Sequence, residues 1–318
     1  MFTFAPMTAV AHKAKQFLVF SIKVLIVGFA FYFIYQQLNQ NSALSRENVV
    51  RLFEQNLSIS SVLFLILLSF LNRFFEILKW QTLVSSFQKI SLGQAAAQVL
   101  GALTAGIFTP NGLGEYAGKA LFYPKTLTKK IVFLNLICNG VQMLLTIGIG
   151  LLGLLCFNAY FEVVSNVMVA VLFVVLGIIS ILLFLSRNFT IRGYSMGQLW
   201  QKINEIPKEI HRKNFWLGLG RYLVFSHQYY FFFLIFGVDQ PYLLLMAGIT
   251  SVYLLASSLP SFQFLDFALK GSMAVLFFGK LGINDWIPVL ITALMWFLNV
   301  VIPVVIGSYF VLNFKTKS

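Results

Sequence analysis

The chain is short of charge. Asp, Glu, Lys and Arg make up 10% of its 318 residues, against about 25% in an ordinary soluble domain. That excludes a conventionally solvated surface. Acid is scarcer than base, with 10 Asp and Glu against 23 Lys and Arg, for a formal net charge of +13. Cysteine is nearly missing: Cys138 and Cys156 are the whole complement. Both fall in one apolar run, about 27 Å apart if it is helical, which excludes an internal disulfide framework and a thiolate metal site. His12, His211 and His227 show no ligand spacing. No serine triad, zinc motif or nucleotide loop occurs. Gly101 and Gly106 have the spacing of a phosphate loop without its Lys-Ser/Thr. The reading therefore carries no cofactor, no metal and no enzymatic activity.

Apolar residues are abundant. They form 59% of the chain, with 35 Phe alone, and mean hydropathy is +0.84. This is the composition of one integral membrane domain over 1–318. The basic residues lie mostly in the connections between apolar runs, as a positive-inside bias requires. They form no single patch, which argues against nucleic acid. The run 17–35 is too long for a signal h-region and lacks a small-residue cleavage site. It reads as a first, uncleaved span.

Spans near the ~20 residues a bilayer requires are expected at 16–37, 59–80, 131–157, 163–185, 215–236 and 286–312. Between them lie two interrupted apolar segments, 93–123 and 241–279. Lys119, Lys125, Lys129 and Lys130 cluster after the first interruption. Arg187, Arg192, Lys202, Lys208, Arg212 and Lys213 cluster in the middle loop, and Lys315 and Lys317 close the chain. Placing these in the cytoplasm with Lys13 and Lys15 puts both termini inside and the connections 158–162 and 237–240 outside. The halves 1–157 and 158–318 then repeat one pattern, two spans, a broken segment and one more span. An odd number of crossings relates them, so the second half is inverted. Met196, Leu199, Ile203, Ile206 and Ile210 mark an amphipathic helix after the first span of the second half, with Pro207 as a possible kink. Val50, Phe53 and Leu57 mark a shorter one in the first. The expected fold is an all-α polytopic membrane protein of two inverted repeats, with about six full spans and two re-entrant broken-helix segments.

The first interruption reads Thr109-Pro110-Asn111-Gly112-Leu113-Gly114-Glu115. Pro110 cannot continue the preceding helix, and Gly112 and Gly114 permit unusual backbone angles. A new helix starting here would offer backbone N–H groups and a positive dipole end to an anion. Glu115 sits four residues before Lys119. Either the two brace one helix, or the turn and Lys119 contact a ligand. In the second interruption, Pro260 precedes Asp266 and Lys270, one turn apart in the order that favours a salt bridge. Asn72, Arg73, Glu76 and Lys79 share one face of the second span, near its cytoplasmic end. Long side chains can snorkel there, or the group can line a cavity. Arg221 in the fifth span allows the same two readings. His227 reads as a packed histidine.

Residues 109–120 resemble the Pro–Gly–Gly–Glu segment of the lysylphosphatidylglycerol synthase transmembrane region, the flippase-like domain family. Arg221-Tyr222-Leu223-Val224-Phe225-Ser226 and the segment 259–278 are similar to its later signatures, so the resemblance covers essentially the whole chain. It implies a polytopic domain that moves lipids, often charged or glycosylated, across bilayers. In the multiple-peptide-resistance synthases this region is fused to a cytosolic aminoacyl transferase, which these residues do not contain; synthase activity is not expected. The chain departs from the family pattern at Asn111 and Leu113, where a basic residue is common, and at Lys119 and Lys270, where arginine is common.

The expected function is movement of a lipid or lipid-linked saccharide with a phosphate-bearing head group between leaflets of the cell membrane. Pro110, Asn111, Gly112, Gly114, Glu115, Lys119, Asp266 and Lys270 are the expected contacts, with Asn72, Arg73, Glu76 and Arg221 as possible cavity lining. Partners would be anionic or glycosylated membrane lipids and a separate synthase or glycosyltransferase. Two alternatives stay open: a noncatalytic partner of such an enzyme, and a membrane enzyme acting on lipid head groups through Glu115 or Asp266.

Overall fold

The computed structural model describes residues 58–314, apart from 108, 110–111, 186–189, 192–193 and 260–265. The expected first span 16–37, the stretch with Val50, Phe53 and Leu57, and Pro110, Asn111, Pro260, Arg187, Arg192, Lys315 and Lys317 lie outside the described residues. What is described is helical, apart from a two-residue antiparallel ladder of β1 (Thr190–Ile191) with β2 (Tyr194–Ser195).

The helix starts follow from local chemistry. α1 (Ile59–Val84) begins at Ser58, whose hydroxyl accepts the Ser61 N–H. α2 (Leu92–Gly106) opens on a reciprocal capping box between Ser91 and Gln94, which satisfies two otherwise orphaned donors. α3 (Leu113–Ala120) is short. α4 (Thr128–Tyr160) follows a 3-10 turn at Lys125–Leu127 and carries both cysteines. Then come α5 (Asn166–Leu185), α6 (Met196–Asn204) and α7 (Lys208–Ile235). Pro207 does not kink an amphipathic helix: it caps α7, where its missing N–H is harmless. The fifth apolar run therefore starts about two turns earlier than its hydropathy implies. α8 (Tyr242–Ser258) and α9 (Asp266–Phe278) flank the second interruption, and α10 (Trp286–Trp296) leads into α11 (Ile302–Leu312).

A π-helical segment, Phe297–Val301, joins α10 to α11. Its cause is in the sequence. Pro303 has no N–H for the carbonyl of Asn299, four residues earlier, so the α-helical ladder is broken there.

Among the described residues, three helices are long and apolar enough to cross a membrane: Ile59–Val84, Lys125–Tyr160 and Trp286–Leu312. Their apolar side chains do not all turn inward. On α1, Leu63, Phe64, Ile66, Leu67 and Phe70 are exposed, while Asn72, Glu76 and Lys79 are buried. That is the reverse of a soluble helix and suits a lipid-facing exterior.

Close helix contacts rest on small residues, as packing without a hydrophobic drive requires. α3 folds back on α2: a Cβ at Gly118 would meet Ala102 Cα at 2.9 Å, and one at Gly114 would meet Ala105 O at 2.7 Å. α2 lies on α11, where a Cβ at Gly307 would stand 2.2 Å from Leu100 O and Thr104 donates to Val304 O. α8 lies on α4 in the same manner, with Gly150 and Gly153 under Leu254 and Thr250. α1 and α7 pack along each other at the centre. The largest apolar core joins α4, α7, α8, α9 and α10 through Phe157, Phe233, Phe277 and Phe278. A second surrounds Trp80 and takes in Ile206 and Ile210. A third brings Ile107, at the first interruption, together with Phe267, at the second.

Candidate functional site

The turn between α2 and α3 is stitched by Thr109. Its hydroxyl donates to Gly106 O at 2.6 Å and accepts the Gly114 N–H at 2.8 Å. Gly112 adopts φ 68°, in the left-handed region, which glycine alone reaches without cost. The Glu115 N–H goes to Gly112 O. The turn thus consumes N–H groups that the sequence reading offers to an anion, so the helix start is largely self-satisfied.

Glu115 packs over Gly106, where an added Cβ would lie 2.7 Å from its Cγ. Lys119 does not brace it. Lys119 is 0% exposed, points across to α4, donates to Asn135 Oδ1 at 2.6 Å and lies 4.5 Å from the centre of the Trp80 ring. Trp80 is itself held by an indole N–H bond to Gln98 Oε1. The brace is seen in the other interruption: Lys270 Nζ meets Asp266 Oδ2 at 2.5 Å, with both side chains 29% exposed. That pair closes on itself, with Tyr253 beneath the ammonium.

The charged face of α1 turns into the bundle. Glu76 and Lys79 are 4% and 0% exposed, inside the bundle. Glu76 Oε2 accepts Arg221 Nη1 at 2.7 Å and Lys79 Nζ at 3.5 Å. Arg221 Nε donates to Asn72 Oδ1, and Asn72 Nδ2 donates to Asn299 Oδ1. Asn299 Nδ2 in turn donates to Gln228 Oε1, whose amide reaches Ser69 and Leu65 O. Lys79 also donates to Gln142 Oε1 on α4. Arg73 donates to the Asn299 carbonyl at 2.6 Å. This is the carbonyl that Pro303 leaves without its helical donor, so a guanidinium replaces a backbone N–H. Cys138 Sγ, 3.7 Å from Glu76 Oε1, completes the shell.

Four cations, Arg73, Lys79, Lys119 and Arg221, all act on Glu76, and Glu115 acts on Arg73. Among the described residues this cluster therefore holds four positive groups against two carboxylates, an excess of two positive charges. Its walls come from α1, α3, α4, α7 and the π-helical segment. Its net charge favours an anion over a cation. No group of His, Cys, Asp and Glu among the described residues could hold a metal ion.

Of the expected site residues, Asn72, Arg73, Glu76 and Arg221 meet here through hydrogen bonds, while Lys119 and Glu115 stand near enough for their charges to act on Glu76 and Arg73. Gly112 and Gly114 shape the turn, and Asp266 and Lys270 stand as a separate pair. Lys79, which stands outside the expected contacts, is central. Asn135, Gln142 and Asn299 escaped sequence reading. Asn299 could have been found as a lone amide in the apolar run 286–312, four residues before a proline. No family model matches the chain, and no curated protein matches it.

Proposed function

We propose that this chain is a multi-pass membrane protein of two inverted halves that moves a lipid, or a lipid-linked saccharide, with a phosphate-bearing head group between leaflets. One observation carries the reading: among the described residues, the Glu76 cluster sets an excess of two positive charges between helices of both halves, with Glu76, Lys79 and Lys119 buried and Arg73, Arg221 and Glu115 partly buried. Uncompensated buried charge is costly. A cluster that keeps such an excess between helices is built for an anion, and rocking of the halves would open it to either side.

Reciprocal packing supports the inverted halves. α2 of the first half lies on the last span of the second, and α8 of the second lies on the last span of the first. Lys79 of α1 reaches Gln142 of α4, and Gln228 of α7 reaches Asn299 of the last span. The same step is made by equivalent helices. In this reading the full spans are 16–37, α1, α4, α5, α7 and the span 286–312. α2–α3 and α8–α9 dip in as hairpins, and both termini face the cytoplasm. The likeness of residues 109–120 to the flippase-like domain family agrees. The chain is a transporter in this account, with no bond made or broken.

The test is leaflet exchange. Vesicles containing the purified chain and fluorescent phosphatidylglycerol or phosphatidylcholine are quenched from outside. Protein-dependent loss of protection for the anionic lipid is expected. Its absence for every anionic lipid tried, with folded protein, refutes the function.

A second reading draws on α5, whose Val167, Phe173, Val174, Ile178, Ile181 and Leu182 are exposed over most of its circumference. A noncatalytic partner of a separate glycosyltransferase or lipid synthase would use such a helix for docking. A co-purifying enzyme, with no exchange by the chain alone, would favour it.

A further inference from the structure

We propose that the Glu76 cluster is matched to a head group with two negative charges, a phosphomonoester or diphosphate, in preference to a singly charged phosphodiester. The inference rests on the reading of that cluster as the head-group site.

Charge supplies the first argument. The cluster's excess of two positive charges is neutralised by a dianion and only halved by a phosphodiester. A zwitterionic head group adds a cation where one is least tolerated. Phosphomonoesters carry about −1.5 to −2 near neutral pH, with three acceptor oxygens. Hydrogen bonding supplies an independent argument. Arg73 Nε, Asn135 Nδ2 and Gln142 Nε2 are buried and have no partner. All three are donors, and all belong to side chains already fixed in the cluster: Asn135 Oδ1 is taken by Lys119, Gln142 Oε1 by Lys79, and the Arg73 guanidinium by Asn299 O. The acceptors of the two amides are spent, arginine has none, and these three donors remain. Buried donors without partners are costly, and what they lack is an acceptor-rich, donor-poor ligand. A neutral sugar supplies hydroxyl donors as well as acceptors and cancels no charge, so it fits less well than phosphate.

Binding and movement are read separately. Thermal unfolding of the detergent-purified chain is followed with dihexanoyl phosphatidic acid, dihexanoyl phosphatidylglycerol and inorganic phosphate. Leaflet exchange is measured with fluorescent phosphatidic acid and phosphatidylglycerol. Phosphatidic acid should bind about tenfold more tightly than phosphatidylglycerol, the effect of one charge-assisted hydrogen bond. The informative variant is Asn135→Asp. It keeps an acceptor for Lys119 and nearly the same volume, removes one donor and lowers the charge excess by one. The chain should unfold at higher temperature while the preference for phosphatidic acid falls at least severalfold.

Equal binding of the two lipids, or an unchanged preference in the variant, overturns the inference whatever the exchange assay gives. Preferential binding without exchange of either lipid sustains it and defeats the transport reading. Inorganic phosphate binding as tightly as phosphatidic acid, without exchange, sustains the dianion and assigns it to a soluble source.

Discussion

Replacing Glu76 with Gln removes one carboxylate and almost no volume. Glu76 accepts Arg221 at 2.7 Å and Lys79 at 3.5 Å, and its own side chain and that of Arg221 are 6% and 21% exposed. Two magnitudes compete. If these are ordinary hydrogen bonds inside a membrane protein, each is worth about 0.6 kcal/mol. If they compensate buried charge, leaving the cations without their carboxylate costs about 3–5 kcal/mol. The geometry favours the second, because the carboxylate faces two cations directly and the others at longer range. Glu76→Gln raises the excess from two to three, and adding Arg221→Met restores it to two. The double variant should therefore be more stable than Glu76→Gln alone.

The assay is equilibrium unfolding in mixed micelles, read by tryptophan fluorescence, since Trp80 lies under Lys119 and reports on the cluster. The full cycle of wild type, two single variants and the double should give a coupling of about 2 kcal/mol or more, as expected for residues of one charge network. Additive losses, with coupling below about 0.5 kcal/mol, would refute a shared field and with it the charge count behind the proposed function.

Other outcomes follow from the same contacts. Gly114→Ala, Gly153→Ala and Gly307→Ala would each set a Cβ 3.0 Å or less from backbone atoms and should destabilise by about 1–3 kcal/mol. Gly140→Ala, with nothing within 4 Å, should be neutral or stabilising by up to about 1 kcal/mol; similar melting temperatures for all four would contradict the close packing. Pro303→Ala returns an N–H to the Asn299 carbonyl in competition with Arg73. It should raise the melting temperature and slow leaflet exchange, and no change in either would remove the π-helical segment from the mechanism. A cysteine introduced at Asn158 or Asp239 should react with an impermeant reagent from outside and one at Lys202 should not, with the opposite pattern sinking the orientation. Glu115→Lys with Lys119→Glu places a carboxylate at a fully buried position in place of the cation that Asn135 and Trp80 hold, so exchange should be lost and stability should fall; a stable, active swap would restore the simple brace.

Much of the scaffold was legible because hydropathy and helix breakers act locally. α1, α4 and the span 286–312 coincide with apolar runs, and Thr109, Gly112 and Gly114 form a turn for the reasons their chemistry gives. The start of α7 was less legible, because Pro207 closes one helix and opens another while the residues after it are polar. The pairing of charges was least legible. Spacing puts Lys119 one turn from Glu115 and Lys270 one turn from Asp266, and by sequence the two pairs look alike. Only the second forms. Lys119 lies where α3 folds against α4, and Asn135 and Trp80 offer a buried ammonium more than a neighbour on its own helix does. Lys270 is partly exposed and keeps the local partner.

The same contrast explains how the cluster holds its excess charge. Each of its cations is satisfied by an element distant in sequence: Lys119 by Asn135, Lys79 by Gln142, Arg221 by Asn72 and Glu76, and Arg73 by the carbonyl that Pro303 exposes. Two of the four, Lys119 and Arg73, lean on neutral oxygens of amide or backbone alone, and Lys79 divides its bonds between Gln142 and Glu76. A neutral oxygen satisfies a donor without cancelling its charge, so each cation has a hydrogen-bond partner while, among the described residues, an excess of two positive charges remains. A structural ion network would cancel that excess with carboxylates. Adding one beside Lys119, as Asn135→Asp does, should therefore stabilise the fold and impair anion recognition together. Stability and recognition rising together, or falling together, would place the open charge outside the function.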